Sequence, residues 1–129
     1  MEMEILKKRL AALKEGHLVD LGEWADVKLV LDQLGLAGSK PRYRYVGAST
    51  PSSSAPAYTL YVLPNGEVFK VGCGFDQSWP EGRILRGKEA EDSRELKGEN
   101  FYRGDFYDDV QEANKIAMAE YYYLLRSKK

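Results

Sequence analysis

The chain is poor in the side chains that most often do chemistry. Its 129 residues include one cysteine, Cys73, and one histidine, His17. A single cysteine excludes an internal disulfide, so folding needs no oxidising compartment. Cys73 stands between Gly72 and Gly74 with no histidine close in sequence, and reads as a small loop side chain, not an activated thiol. His17 sits between two candidate helices and reads as neither ligand nor base. No apolar run approaches the roughly 18 residues that a membrane-spanning helix requires. The start, Met-Glu-Met-Glu-Ile-Leu-Lys-Lys, lacks the charged-then-apolar order of a secretion signal. A cytoplasmic protein without a membrane partner is expected. The net charge of −1 provides no molecule-wide field toward nucleic acid.

What is present is an ordinary globular composition with an uneven charge. Apolar residues make up 43% and charged residues 30%, enough for one domain-sized core. Residues 1–37 and 76–129 each carry net −2, whereas residues 38–75 carry net +3. The basic excess therefore sits in the middle of the chain.

Residues 2–15 read as an amphipathic helix, with Ile5, Leu6, Leu10 and Leu13 at helical spacing and Gly16 at the left-handed stop. A second helix is expected from about Gly22 to Leu34, lined by Trp24, Val27, Leu31 and Leu34 and closed by Gly35-Leu36 in a Schellman ending. Together they predict an N-terminal helical hairpin. Residues 41–46 alternate with period 2, placing Arg42 and Arg44 on one side and Tyr43 and Tyr45 on the other. Interleaved arginine and tyrosine are suited to stacking on and neutralising single-stranded nucleic acid. Residues 47–56, rich in Ser, Pro, Gly and Ala, read as a flexible loop or linker. The expected organisation is a unit at 1–46, the linker at 47–56 and an α+β unit at 57–129.

Residues 58–72 hold two strand-like runs about Asn65-Gly66, which favours a two-residue type I′ turn. That loop pairs Leu63 with Val68, Val62 with Phe69 and Tyr61 with Lys70. Leu60, Val62, Phe69 and Val71 then share an apolar face, and Tyr61 meets Lys70 on the opposite one. A helix is expected to start at Pro80-Glu81, with Arg83 and Arg86 on one side. Residues 87–100 read as a solvated helix or loop, residues 101–107 as a strand, and a last helix runs from Asp108 or Asp109 to about Arg126. Along that helix Glu120 falls in the apolar stripe of Val110, Ala113, Ala117, Tyr121 and Leu124. A carboxylate there needs an arginine or a metal ion as partner, unless the helical phase is displaced. The predicted fold class is α+β: a small antiparallel sheet with flanking helices.

Hydrolysing a phosphodiester takes a cation held by carboxylate oxygen, a positive group for the phosphate, and a group that orients or deprotonates the nucleophile. Glu120 can serve as a ligand to Mg²⁺ or Mn²⁺, and Arg83 or Arg86 as a bidentate phosphate clamp. Tyr61, its pKa lowered by Lys70, can serve as base. Equally, Tyr61 and Lys70 make an ordinary cross-strand pair, and Arg83 with Glu120 an internal salt bridge.

The order Leu60-Tyr61-Val62-Leu63, Lys70-Val71-Gly72, Arg83 and Glu120 resembles the GIY-YIG endonuclease superfamily over residues 57–126. Thr59-Leu60 stands where that family has Gly-Ile, and Lys70 where tyrosine is usual. The resemblance implies a divalent-metal-dependent endonuclease acting on nucleic acid. In it Tyr61 and Lys70 match the two motifs, Arg83 the catalytic arginine with Arg86 as its rival, and Glu120 the metal-binding glutamate. A second reading comes from 9 Tyr and 2 Trp: a small non-enzymatic inhibitor, immunity or regulatory factor binding a protein partner through tyrosine-rich surfaces such as Tyr121–Tyr123.

Overall fold

The computed structural model describes residues 2–36, 39–45, 57–73 and 80–95, together with Tyr107 and Ala113. For Tyr43, Arg44, Tyr45, Ala57 and Cys73 the backbone alone is described. The elements run α1 (Met3–Lys14), β1 (Val19–Asp20), α2 (Trp24–Gln33), β2 (Arg42–Tyr45), β3 (Ala57–Val62), β4 (Val68–Cys73), β5 (Glu81–Leu85) and α3 (Gly87–Glu95). The five strands form one antiparallel sheet in the order β1-β5-β4-β3-β2, so the protein is α+β with a small sheet and flanking helices.

Both N-terminal helices form where their spacing predicts, and both end in the same way. Past α1, Gly16 takes φ 91° and its N–H bonds to Leu13, while the His17 N–H bonds to Ala12. Past α2, Gly35 takes φ 78°, with Gly35 bonded to Asp32 and Leu36 to Leu31. These are paired Schellman closures that satisfy the last carbonyls of each helix. At the start of α2 the Asp26 carboxylate accepts the Glu23 backbone N–H at 3.1 Å. Leu6, Leu13, Val27, Val30 and Leu31 turn inward from the two helices onto the sheet, whereas Ile5 is 41% exposed.

The hairpin register differs from expectation by one residue. Val62 pairs with Val68, Tyr61 with Phe69, Leu60 with Lys70 and Thr59 with Val71. Proline causes the shift. A two-residue loop would pair Pro64 with Glu67, and proline has no N–H to donate to such a pair. The loop instead holds three residues, Pro64-Asn65-Gly66: the Leu63 N–H bonds to Glu67, the Gly66 N–H to Leu63, and Gly66 takes φ 88°. A turn followed by a left-handed glycine is the usual three-residue hairpin loop.

One residue of slip exchanges every side chain between faces. Tyr61, Leu63, Phe69 and Val71 meet Ile84 and the helices on what we term the core face. Leu60 and Val68 lie on the opposite face, in a smaller cluster with Leu85 and Ala90. Val62, expected in the core, is 47% exposed. Phe69 is wholly buried, and Gly82 makes room for it: a Cβ there would stand 2.7 Å from the Phe69 ring and 2.9 Å from Leu21.

The helix expected from Pro80 is replaced by β5. Glu81-Gly82-Arg83-Ile84 alternates between half-buried and buried, and the Pro80 carbonyl accepts the Leu21 N–H at 2.9 Å, so proline opens a strand. β1 and β2 come from residues 1–46, β3–β5 from residues 57–85, and together they share one sheet and one core. The linker at 47–56, the strand expected at 101–107 and the final helix lie outside the described residues. Of these, Tyr107, whose N–H bonds to Pro41, and the fully buried Ala113 are described. No helix among the described residues is long and apolar enough to cross a membrane.

Candidate nucleic-acid interface

The face opposite the core carries the charge. Its residues fall into rows that run across the strands. One row is Arg42, Leu60, Lys70 and Arg83, from β2 through β3 and β4 to β5. The next is Arg44, Tyr58, Gly72, Glu81 and Asp20, from β2 to β1. Three cations thus belong to the first row, and two of them, Lys70 and Arg83, are direct cross-strand partners on β4 and β5. We refer to this side as the basic face.

Like charges directly opposite each other destabilise a strand pair. Two features offset that repulsion here. The Lys70 ammonium lies 4.2 Å from the centroid of the Tyr58 ring, within cation–π range. Arg83 meets Glu89 of α3 through both guanidinium nitrogens, Nη1 to Oε1 at 3.2 Å and Nη2 to Oε2 at 2.8 Å. The guanidinium pKa is raised above its ordinary value, first by this hydrogen bond against the opposing effect of burial, with the charge of Glu89 and proximity to Tyr58 adding to it. Like any arginine, Arg83 is cationic at neutral pH.

Tyr58, Gly72 and Glu81 are successive members of one row, so no side chain of β4 stands between the tyrosine and the glutamate. The Tyr58 hydroxyl then donates to Glu81 Oε1 at 3.4 Å. The ring is buried beneath Lys70, so the phenol joins the cation row to the carboxylate row.

The expected site residues separate. Tyr61 is 3% exposed in the core, its ring 6.5 Å from that of Phe69, and it does not share a face with Lys70. The expected cross-strand pair of phenol and ammonium is absent because the register is one residue away; Tyr58 takes Tyr61's place beside Lys70. Arg83 and Arg86 do not share a helix face. Arg83 is on β5, whereas Arg86 follows the strand and turns to the hairpin end, with Nε 2.7 Å from Glu67 Oε2 and Nη2 donating to the Lys14 carbonyl at 2.6 Å. That arginine fastens the C-terminus of α1, where a cation complements the helix dipole. Arg42 joins the basic row and donates from Nη1 to the Arg94 carbonyl at 3.1 Å. Tyr43, Arg44 and Tyr45 pair in β2 with Thr59, Tyr58 and Ala57. Glu120, and Tyr121–Tyr123 with it, lie outside the described residues.

Among the described residues no group of three or more His, Cys, Asp or Glu side chains could hold a metal ion. Sequence reasoning missed Tyr58, Glu81 and Glu89. Pro64 carries the signal for the first, since the three-residue loop puts Tyr58, not Tyr61, next to Lys70; Glu81 follows only from the pairing of β5 with β4. Compared with family models, curated proteins and solved structures, the chain matches none.

Proposed function

We propose that the protein binds the phosphate backbone of nucleic acid on its basic face and acts there as an endonuclease-like phosphodiesterase. One observation carries this reading. Lys70 and Arg83 are held side by side on neighbouring strands, a repulsive arrangement that a bridging phosphate relieves. Strands stand about 4.8 Å apart, so both cations can reach the oxygens of one phosphodiester. Arg83 supplies the planar, bidentate clamp and Lys70 a point charge. Both stabilise charge that grows on the phosphate oxygens during displacement. The Tyr58 hydroxyl, oriented by Glu81, is the group in this set suited to positioning a nucleophile.

The GIY-YIG resemblance assigns Glu120 to Mg²⁺ or Mn²⁺, which when bound supplies Lewis acidity at the phosphate. The proposal places the activity in the cytoplasm, where a chain with one cysteine folds without a disulfide. The test is incubation of labelled single- and double-stranded DNA and RNA with the full chain, with Mg²⁺, Mn²⁺ or EDTA. Cleavage that needs the metal and is abolished in both Arg83→Ala and Glu120→Ala, with melting temperatures retained, is the expected result. Binding that survives in Glu120→Ala without cleavage separates chemistry from recognition. No binding at low salt by the wild-type chain contradicts the reading.

A second reading rests on a different part of the molecule. Met3 and Ile5 of α1, Leu18 just before β1 and Leu29 of α2 are 63%, 41%, 57% and 41% exposed. Exposed apolar side chains of this kind suit a non-enzymatic protein that docks on a protein partner. A stoichiometric partner lost on Ile5→Glu and retained on Arg83→Ala is the result that reading requires.

A further inference from the structure

α3 meets the basic face chiefly through polar groups among the described residues. Only Ala90 and Ser93 of its nine residues are buried, and the Ser93 hydroxyl donates back to the Ala90 carbonyl at 2.9 Å. Among the described residues, Ala90 packs against Leu60, Val68 and Leu85. Several polar attachments are to arginines. Arg83 grips Glu89 through two nitrogens, Arg42 donates to the Arg94 carbonyl at the helix C-terminus, and Arg94 reaches the Gly66 carbonyl of the hairpin turn. The helix is acidic, with Glu89, Glu91, Asp92 and Glu95 against Lys88 and Arg94.

We propose that α3 is an acidic cover over the basic face, competing with nucleic acid, and that Glu89 occupies on Arg83 the place a phosphate would take. This inference rests on the phosphate-binding reading above. The geometry is the reason for singling out Glu89. A carboxylate that meets both terminal nitrogens of a guanidinium uses the same fork that accepts two phosphate oxygens, so the two ligands exclude each other. The pair is also readily displaced. Side-chain exposures of 32% for Arg83 and 59% for Glu89 leave it screened by water, and exposed pairs contribute little to stability. Phosphate thus gains Arg83 by exchange, without unfolding the helix. Because Glu89 sets the threshold for that exchange, a polyanion with several phosphates is favoured over a single free phosphate, since it can engage Lys70 as well as Arg83.

The experiment measures fluorescence anisotropy of a fluorescein-labelled single-stranded DNA of mixed sequence with the full chain at low salt. It compares wild type, Glu89→Gln, Glu91→Gln and Arg83→Gln, alone and combined with Glu89→Gln. Glu91 is exposed on the same helix, so its variant removes the same charge without releasing Arg83. Glu89→Gln is expected to tighten binding about threefold to fivefold. Glu91→Gln should change it less than about twofold, and the gain should vanish when Arg83→Gln is added. If Glu89→Gln binds no tighter than Glu91→Gln while Arg83→Gln weakens binding, the cover is overturned and the phosphate reading stands. If wild type and Glu89→Gln both fail to bind, both proposals fall.

Discussion

The two faces of this sheet are built on opposite principles. The core face is closed by Leu6, Leu13, Val27, Val30 and Leu31 around Phe69, with no charged side chain in the cluster. The basic face places Lys70 opposite Arg83 and supports them with a tyrosine ring, a partly exposed carboxylate and a cluster of four apolar residues. Stability resides on the first face. The second holds two like charges side by side and offsets their repulsion with a ring and a carboxylate, a local conflict of the kind the proposed function draws on.

Substitutions can break or sharpen that contrast. The largest expected effect is from Phe69→Ala, which empties the centre of the core face and should cost about 3–5 kcal/mol in denaturant unfolding. Gly82→Ala comes next. Its methyl meets Phe69 and Leu21 inside van der Waals distance, and the overpacking should cost about 1–3 kcal/mol by the same measurement. Arg83→Ala should change stability by less than about 1 kcal/mol, because the ion pair it removes is partly exposed. It should nonetheless remove most of the nucleic-acid binding. Lys70→Gln should leave stability within about 0.5 kcal/mol of wild type and lower the slope of log K against log salt by about 1. A large stability loss at Arg83 paired with unchanged binding would erase the distinction between the faces.

Local signals in the sequence identify the two N-terminal helices well. Gly16 and Gly35 mark where α1 and α2 end because left-handed backbone is most easily supplied by glycine. The alternation at Arg42–Tyr45 marks β2. The site was harder to see, and two residues explain why. Asn65-Gly66 is a strong hairpin signal, but Pro64 beside it prevents the shorter loop, and a slip of one exchanged Tyr61 for Tyr58. Pro80 suits the first turn of a helix as well as the start of a strand, so the sequence alone does not tell which kind of element carries Arg83. Pairing with β4 settles the choice, and pairing between segments is not written in either segment alone. β1, two residues long, carries no periodicity that could announce it.

The most direct test of the phosphate-binding account is the salt dependence of single-stranded nucleic-acid binding in the Lys70→Gln/Arg83→Gln double variant. The account predicts a folded protein whose residual binding is weak and whose slope is lower by about 2 than that of wild type. A folded double variant that binds with the wild-type affinity and slope would contradict it.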